Sequence, residues 1–186
     1  MALKRSSEII TVSGGVDNSA NAFQVDPVDL MLNALDQEVF VVLAVQIDFQ
    51  GLPVRPLIVG SPTGVISGIH EVAMTTTRPS GLTAAGFGPD IGNTNCFAYA
   101  CQKGSEAYDA SNDLNSYFLH EQTSDVPDTN LDYVAIIATS DFFVSTNPIQ
   151  TNPGTPLRCN YRIWGYRAKA DAATYAALVQ SEVLSS

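Results

Sequence analysis

Lysine is nearly absent from this chain of 186 residues: three lysines and six arginines face nineteen carboxylates, thirteen of them aspartate. A formal net charge of −10 repels nucleic acid phosphates, and Lys4 with Arg5 is too small a basic patch to offset it. Direct nucleic acid binding is therefore not expected. Charged residues reach only 15% of the chain, below the ~25% usual for soluble domains, so much of the surface is uncharged polar or hidden by partners. The three cysteines, Cys96, Cys101 and Cys159, cannot all pair within one chain. Cys96 and Cys101 sit five apart, on opposite faces of a continuous strand, and no C-x-x-C or Cys/His zinc spacing occurs. Buried free thiols are the expectation, with Cys159 bonded to another chain or another Cys as the alternative. No apolar run reaches the ~20 residues that span a bilayer. Residues 1–8 lack the apolar stretch of a secretion signal, which predicts synthesis in the cytoplasm.

The motifs of catalysis are also missing. There is no G-x-S-x-G elbow, no phosphate-binding G-x-x-x-x-G-K-[ST], and Gly86-Phe87-Gly88 runs into Pro89 without a strand-to-helix context. The only two histidines are each followed by glutamate, at His70-Glu71 and His120-Glu121. Neighbours in a strand point to opposite faces, so each pair offers one ligand per side, and two His one residue apart, as in cupins, do not occur. No catalytic, cofactor-binding or metal-binding residue is assigned, and neither a cofactor nor a small-molecule substrate is implied.

What the chain has is strand-type sequence. Glu38–Phe49 and Asp132–Val144 are continuously apolar and read as strands buried on most of both faces. Ile9–Val12 reads as a short first strand ending at Gly14-Gly15. Val54–Val59 suits an edge strand beside Pro53 and Pro56, and Ser61–Gly64 a turn. Val65–Arg78 reads as a longer strand with Gly68 a bulge, and Cys96–Gln102 and Tyr117–Gln122 as shorter ones. Arg158–Ala168 alternates Cys159, Tyr161 and Ile163 with Arg162, Trp164 and Tyr166. Two helices are expected. Asp26 would cap a short one, with Pro27 in its first turn and Leu30, Met31 and Ala34 facing the core; Asp171 would cap Asp171–Leu184, where Tyr175, Val179 and Val183 recur four apart. Ser80–Thr94 and Thr146–Pro156, rich in Gly and Pro, read as long exposed loops.

Seven or eight strands without βαβ alternation imply an all-β antiparallel sandwich, jelly roll or immunoglobulin-like, in one domain over residues 1–186. Its charge is unevenly placed. Residues 104–157 contain eight carboxylates and no Lys or Arg, and four of the nine basic residues follow at Arg158, Arg162, Arg167 and Lys169. Such a map offers contact faces between copies or with a partner. The carboxylate excess also suits molar salt, where a Debye length of about 3 Å removes mutual repulsion.

Residues 4–17, 138–144 and 162–180 resemble the smaller major capsid protein of tailless icosahedral haloarchaeal viruses, the sphaerolipovirus group. The resemblance implies a halophilic structural virion protein without an active site. It implies a single jelly roll standing upright on the capsid, assembled with copies of itself and a larger companion capsid protein into pseudo-hexameric capsomers over an internal membrane. Two other classes compete: a surface β-sandwich binding carbohydrate or attaching to a host, which needs a groove lined by exposed aromatics, and a cupin-like metalloenzyme.

Overall fold

A computed structural model of the chain describes residues 3–18, 22–50, 64–82, 88–90, 92–108, 114–123, 132–150 and 157–184. The expected edge strand Val54–Val59 and all but the last residue of the turn Ser61–Gly64 lie outside them. In order come β1 (Lys4–Arg5), β2 (Ile10–Asn18), β3 (Gln24–Asp29), a 3-10 turn (Ala34–Asp36), β4 (Glu38–Gln50), β5 (Gly64–Thr75) and β6 (Cys96–Tyr108). Then follow β7 (Leu114–Thr123), β8 (Ala135–Ile137), β9 (Asp141–Gln150), β10 (Leu157–Lys169) and α1 (Ala172–Leu184).

Every ladder is antiparallel. One sheet has the order β2-β10-β4-β8, with β1 pairing the far end of β10; the other has the order β3-β9-β5-β6-β7. Each sheet thus takes a late strand between two early ones: β10 between β2 and β4, β9 between β3 and β5. That interleaving of the two halves of the chain is the jelly-roll topology, and β7 is an added edge strand.

The core lies between the sheets. Phe40, Val42, Val45 and Ile47 from β4 meet Val72, Met74, Ala98, Ala100, Phe142 and Val144 from the facing sheet, all of them buried. Phe142 bridges the layers, its ring centroid 5.8 Å from that of Phe97 and 6.3 Å from that of Tyr161, both edge-on. A register shift between Trp164 and Gly165 leaves Leu43 of β4 as an extra residue and flips the parity of that strand. Gly165 is required there: a Cβ would lie 2.5 Å from both Phe40 Cζ and the Val41 carbonyl oxygen. Before the bulge, Val39 and Val41 are buried on the outer face as well, against Tyr175, Leu178 and Val179 of α1. This is why β4 reads as buried on both faces in its first half, whereas Gln46, Asp48 and Gln50 are exposed in its second.

Several expectations are corrected. No helix starts at Asp26; Gln24–Asp29 is β3, and Leu30 is buried but Met31 is exposed. Pro27 fits because β3 is an edge strand, where a missing N–H can face away from β9. The short helix expected in the N-terminal half is reduced to the 3-10 turn. Asp132–Val144 is two strands in different sheets, β8 and β9, parted at Thr139-Ser140. Thr146–Gln150 continues β9 through Pro148, because β3 ends its pairing at Thr146 and leaves that side of β9 without a ladder partner among the described residues. Gly68 carries no bulge; it pairs with both Gly104 and Gln150, and the irregularity of β5 lies at Met74 and Thr75. The helix capped by Asp171 forms as expected, with the Asp171 carboxylate accepting from Thr174 N (2.9 Å) and Thr174 Oγ1 (2.8 Å).

Candidate interaction surfaces

The outer face of the β2-β10-β4-β8 sheet is divided in two. At one end α1 covers it with apolar contacts, fixed by Glu182, whose buried carboxylate accepts from Ala138 N (2.9 Å) and Thr139 N (3.1 Å). Burial raises the Glu182 carboxyl above its ordinary range, while the backbone donors oppose that rise. At the other end the face is polar and, among the described residues, uncovered. Its rows, read across β2, β10 and β4, are Thr11, Trp164, Ala44; Ser13, Arg162, Gln46; Gly15, Asn160, Asp48; and Asp17, Arg158, Gln50. The small residues on β2 leave a groove of about 500 Å³ along Arg158, Asn160 and Arg162. Arg158 and Arg162 are two of the four late basic residues expected to form a contact face. The other two, Arg167 and Lys169, instead brace the far end of the sheet, 3.4 Å from Glu38 and 3.3 Å from Asp36. Of the eight carboxylates in the acidic stretch, Asp109, Asp113, Asp125 and Asp128 lie outside the described residues, as do the side chains of Glu106 and Glu121.

A second surface is the loop between β3 and β4. Its backbone is held at three points, where Met31 N donates to Asp29 Oδ1 (2.6 Å), Leu35 N to Asn33 Oδ1 (3.1 Å) and Arg167 Nη2 to the Leu30 carbonyl (2.9 Å), and the Asn33 and Asp36 side chains are joined from Nδ2 to Oδ2 (2.8 Å). Met31 and Gln37 take left-handed backbone angles, φ 53° and 54°, which non-glycine residues adopt only at a cost of ~1 kcal/mol or more. The result is a braced loop with Leu35 95% and Met31 76% exposed. The residues that could have announced it are Asp29, Asn33 and Asp36, short side chains that bond to nearby backbone and compete with helix.

On the outer face of the other sheet, two residues of a loop pack over β5. The expected loop Ser80–Thr94 is exposed at Ser80, Leu82, Asp90, Gly92, Asn93 and Thr94, but Gly88 and Pro89 are buried over β5, where Glu71 accepts from Gly88 N (3.2 Å), Asn147 Nδ2 (2.8 Å) and Tyr99 Oη (3.1 Å). A buried acceptor with three donors is a structural clamp. His70, its neighbour, points the other way, into the core, with its ring centroid 5.0 Å from that of Phe49. The two residues of this pair therefore serve opposite faces, as their spacing predicts; the side chains of His120 and Glu121 lie outside the described residues. Cys101 and Cys159 are buried, Cys96 is half-buried, and all three thiols are free. Burial pushes Cys159 up to about 12 and Cys96 up to about 11, so both stay protonated and unreactive. No helix among the described residues is long and apolar enough to cross a membrane.

No protein-family model matches the sequence, and no curated protein matches it. Among solved structures, VP1 of Merkel cell polyomavirus in complex with GD1a oligosaccharide overlays 90% of this chain on 98% of its own, with a TM-score of 0.45 and 11% identity. VP1 of the trichodysplasia spinulosa-associated polyomavirus in complex with 6'-sialyllactose gives 90% and 98%, 0.44 and 9%. Chimpanzee polyomavirus VP1 gives 90% and 100%, 0.42 and 9%. At these scores the likeness assigns neither ligand nor partner to this chain.

Proposed function

We propose that the chain is a structural capsid subunit, a one-domain jelly roll of the kind found as the smaller major capsid protein of haloarchaeal icosahedral viruses. It packs with copies of itself and a larger companion into pseudo-hexameric capsomers over an internal membrane, and it resides in the virion. The jelly-roll strand order and the resemblance of residues 4–17, 138–144 and 162–180 support this reading. The observation that carries it is the braced loop at residues 30–37. Large apolar side chains that could fold back onto the protein are held outward by hydrogen bonds, which suits a preformed contact between subunits.

The test replaces both anchors. Leu35→Asp with Met31→Asp leaves the melting temperature within 2–3 °C of wild type, roughly what an exposed substitution allows, and abolishes co-sedimentation with the companion capsid protein in high salt. Normal co-sedimentation by the double variant would refute this contact. The carboxylate excess makes a separate prediction. The melting temperature rises between 0.1 and 3 M salt as repulsion is screened; a flat or falling curve contradicts adaptation to brine.

A further inference from the structure

The polar groove on the outer face of the β2-β10-β4-β8 sheet has the volume of a small-ligand site, about 500 Å³, and its chemistry is specific. Arg158 is already committed: its Nη1 lies 3.0 Å from both carboxylate oxygens of Asp17, and its Nε donates to Asn160 Oδ1 at 2.9 Å. That second bond orients the Asn160 amide, so its NH₂ is the group left to offer a ligand. Arg162 and Asp48 have no ion-pair partner among the described residues. The Arg162 guanidinium lies 5.8 Å from the centre of the Trp164 ring.

A guanidinium can only donate hydrogen bonds and a carboxylate can only accept them. An anionic ligand would satisfy Arg162 and be repelled by Asp48 and Asp17, a cation would do the reverse, and an apolar partner would leave both unpaired. Hydroxyl groups both donate and accept, and the two arginines balance the two aspartates, so the groove suits a neutral polyhydroxyl ligand. Gly15 keeps the floor open, since a Cβ there would lie 2.8 Å from Asn160 Oδ1 and 2.9 Å from Arg158 Nη2. Trp164, one row along on the same face, lies beside the groove, and the Arg162 guanidinium sits over its ring, which helps to orient that donor.

We propose that this groove binds a neutral carbohydrate, its hydroxyls shared among Arg162, Gln46, Asp48 and Asn160. All of these residues come from one chain, so binding does not depend on assembly into a shell.

The experiment screens the purified chain against an array carrying neutral oligosaccharides of mannose, galactose, glucose and N-acetylglucosamine beside sialylated and sulfated glycans, then titrates the strongest hit by calorimetry. The expected hit is neutral. Asp48→Ala and Arg162→Ala, both at exposed positions that leave the fold intact, each weaken it about tenfold or more. Gly15→Val fills the groove and abolishes binding, with its melting curve recorded to separate a blocked site from a damaged strand. Binding confined to sialylated or sulfated glycans, no binding to the array, or neutral-glycan affinity unchanged by either alanine variant overturns the proposal.

Discussion

Replacing Phe142 with alanine lowers the unfolding free energy by about 3–5 kcal/mol, the range for truncating a fully buried aromatic. Phe142 has no exposed surface, and its ring meets Phe97 on its own sheet and Tyr161 on the opposite one. Truncation therefore loses transfer free energy, two edge-to-face ring contacts and the filling of a site that two rigid sheets cannot close. Urea unfolding at neutral pH measures it. A loss below 1 kcal/mol would mean that the sandwich is not packed around this ring.

The second large effect is a loss of stability in acid that originates at His70. The ring is buried, neither nitrogen has a hydrogen-bond partner among the described residues, and burial lowers its pKa from 6.5 to about 4. In the unfolded chain the same ring takes its proton near 6.5. Above that pH both states are neutral there, and His70 adds no pH dependence. Between about 6.5 and 4 the unfolded chain binds a proton that the folded one refuses, so stability falls as pH falls, by ~3 kcal/mol in all. Carboxylates titrate toward the lower end of this window, which makes the informative quantity the difference between wild type and His70→Leu. The variant is expected to lose the part of the slope between pH 6.5 and 5 that the histidine supplies. Superimposed pH profiles for the two proteins would show that His70 is not held neutral by the core.

The strands of this fold were readable wherever burial enforces a pattern. The alternation along Arg158–Ala168 separates Cys159, Tyr161 and Ile163 from Arg162, Trp164 and Tyr166 as the structure does, and β10, lying between β2 and β4 with one face on the core, buries the first set. Local rules failed where tertiary pairing outweighed them. Asp26-Pro27 has the wording of a helix start, but Val25 and Val28 pair with β9 and Pro27 loses nothing at a sheet edge. The division of Asp132–Val144 between two sheets was hidden, since a run buried in β8 and a run buried in β9 look alike in sequence. What separates them is the bonding of Ala138 N and Thr139 N to Glu182, more than forty residues away. The candidate surfaces were the least legible. Thr11, Ser13, Gly15 and Asp17 do recur at strand spacing on one face of β2, but only the register with β10 and β4 turns those small residues into a groove. Leu35 is one apolar residue among many in the sequence, and only the hydrogen bonds that brace its loop hold it outward.

The most direct test of the shell role is composition. Particles purified by density gradient from high-salt cultures can be measured by quantitative mass spectrometry for this chain against the larger capsid protein. The shell role predicts a fixed, near whole-number ratio that persists through repeated purification; absence of the chain, or a trace amount that washes away, would contradict it.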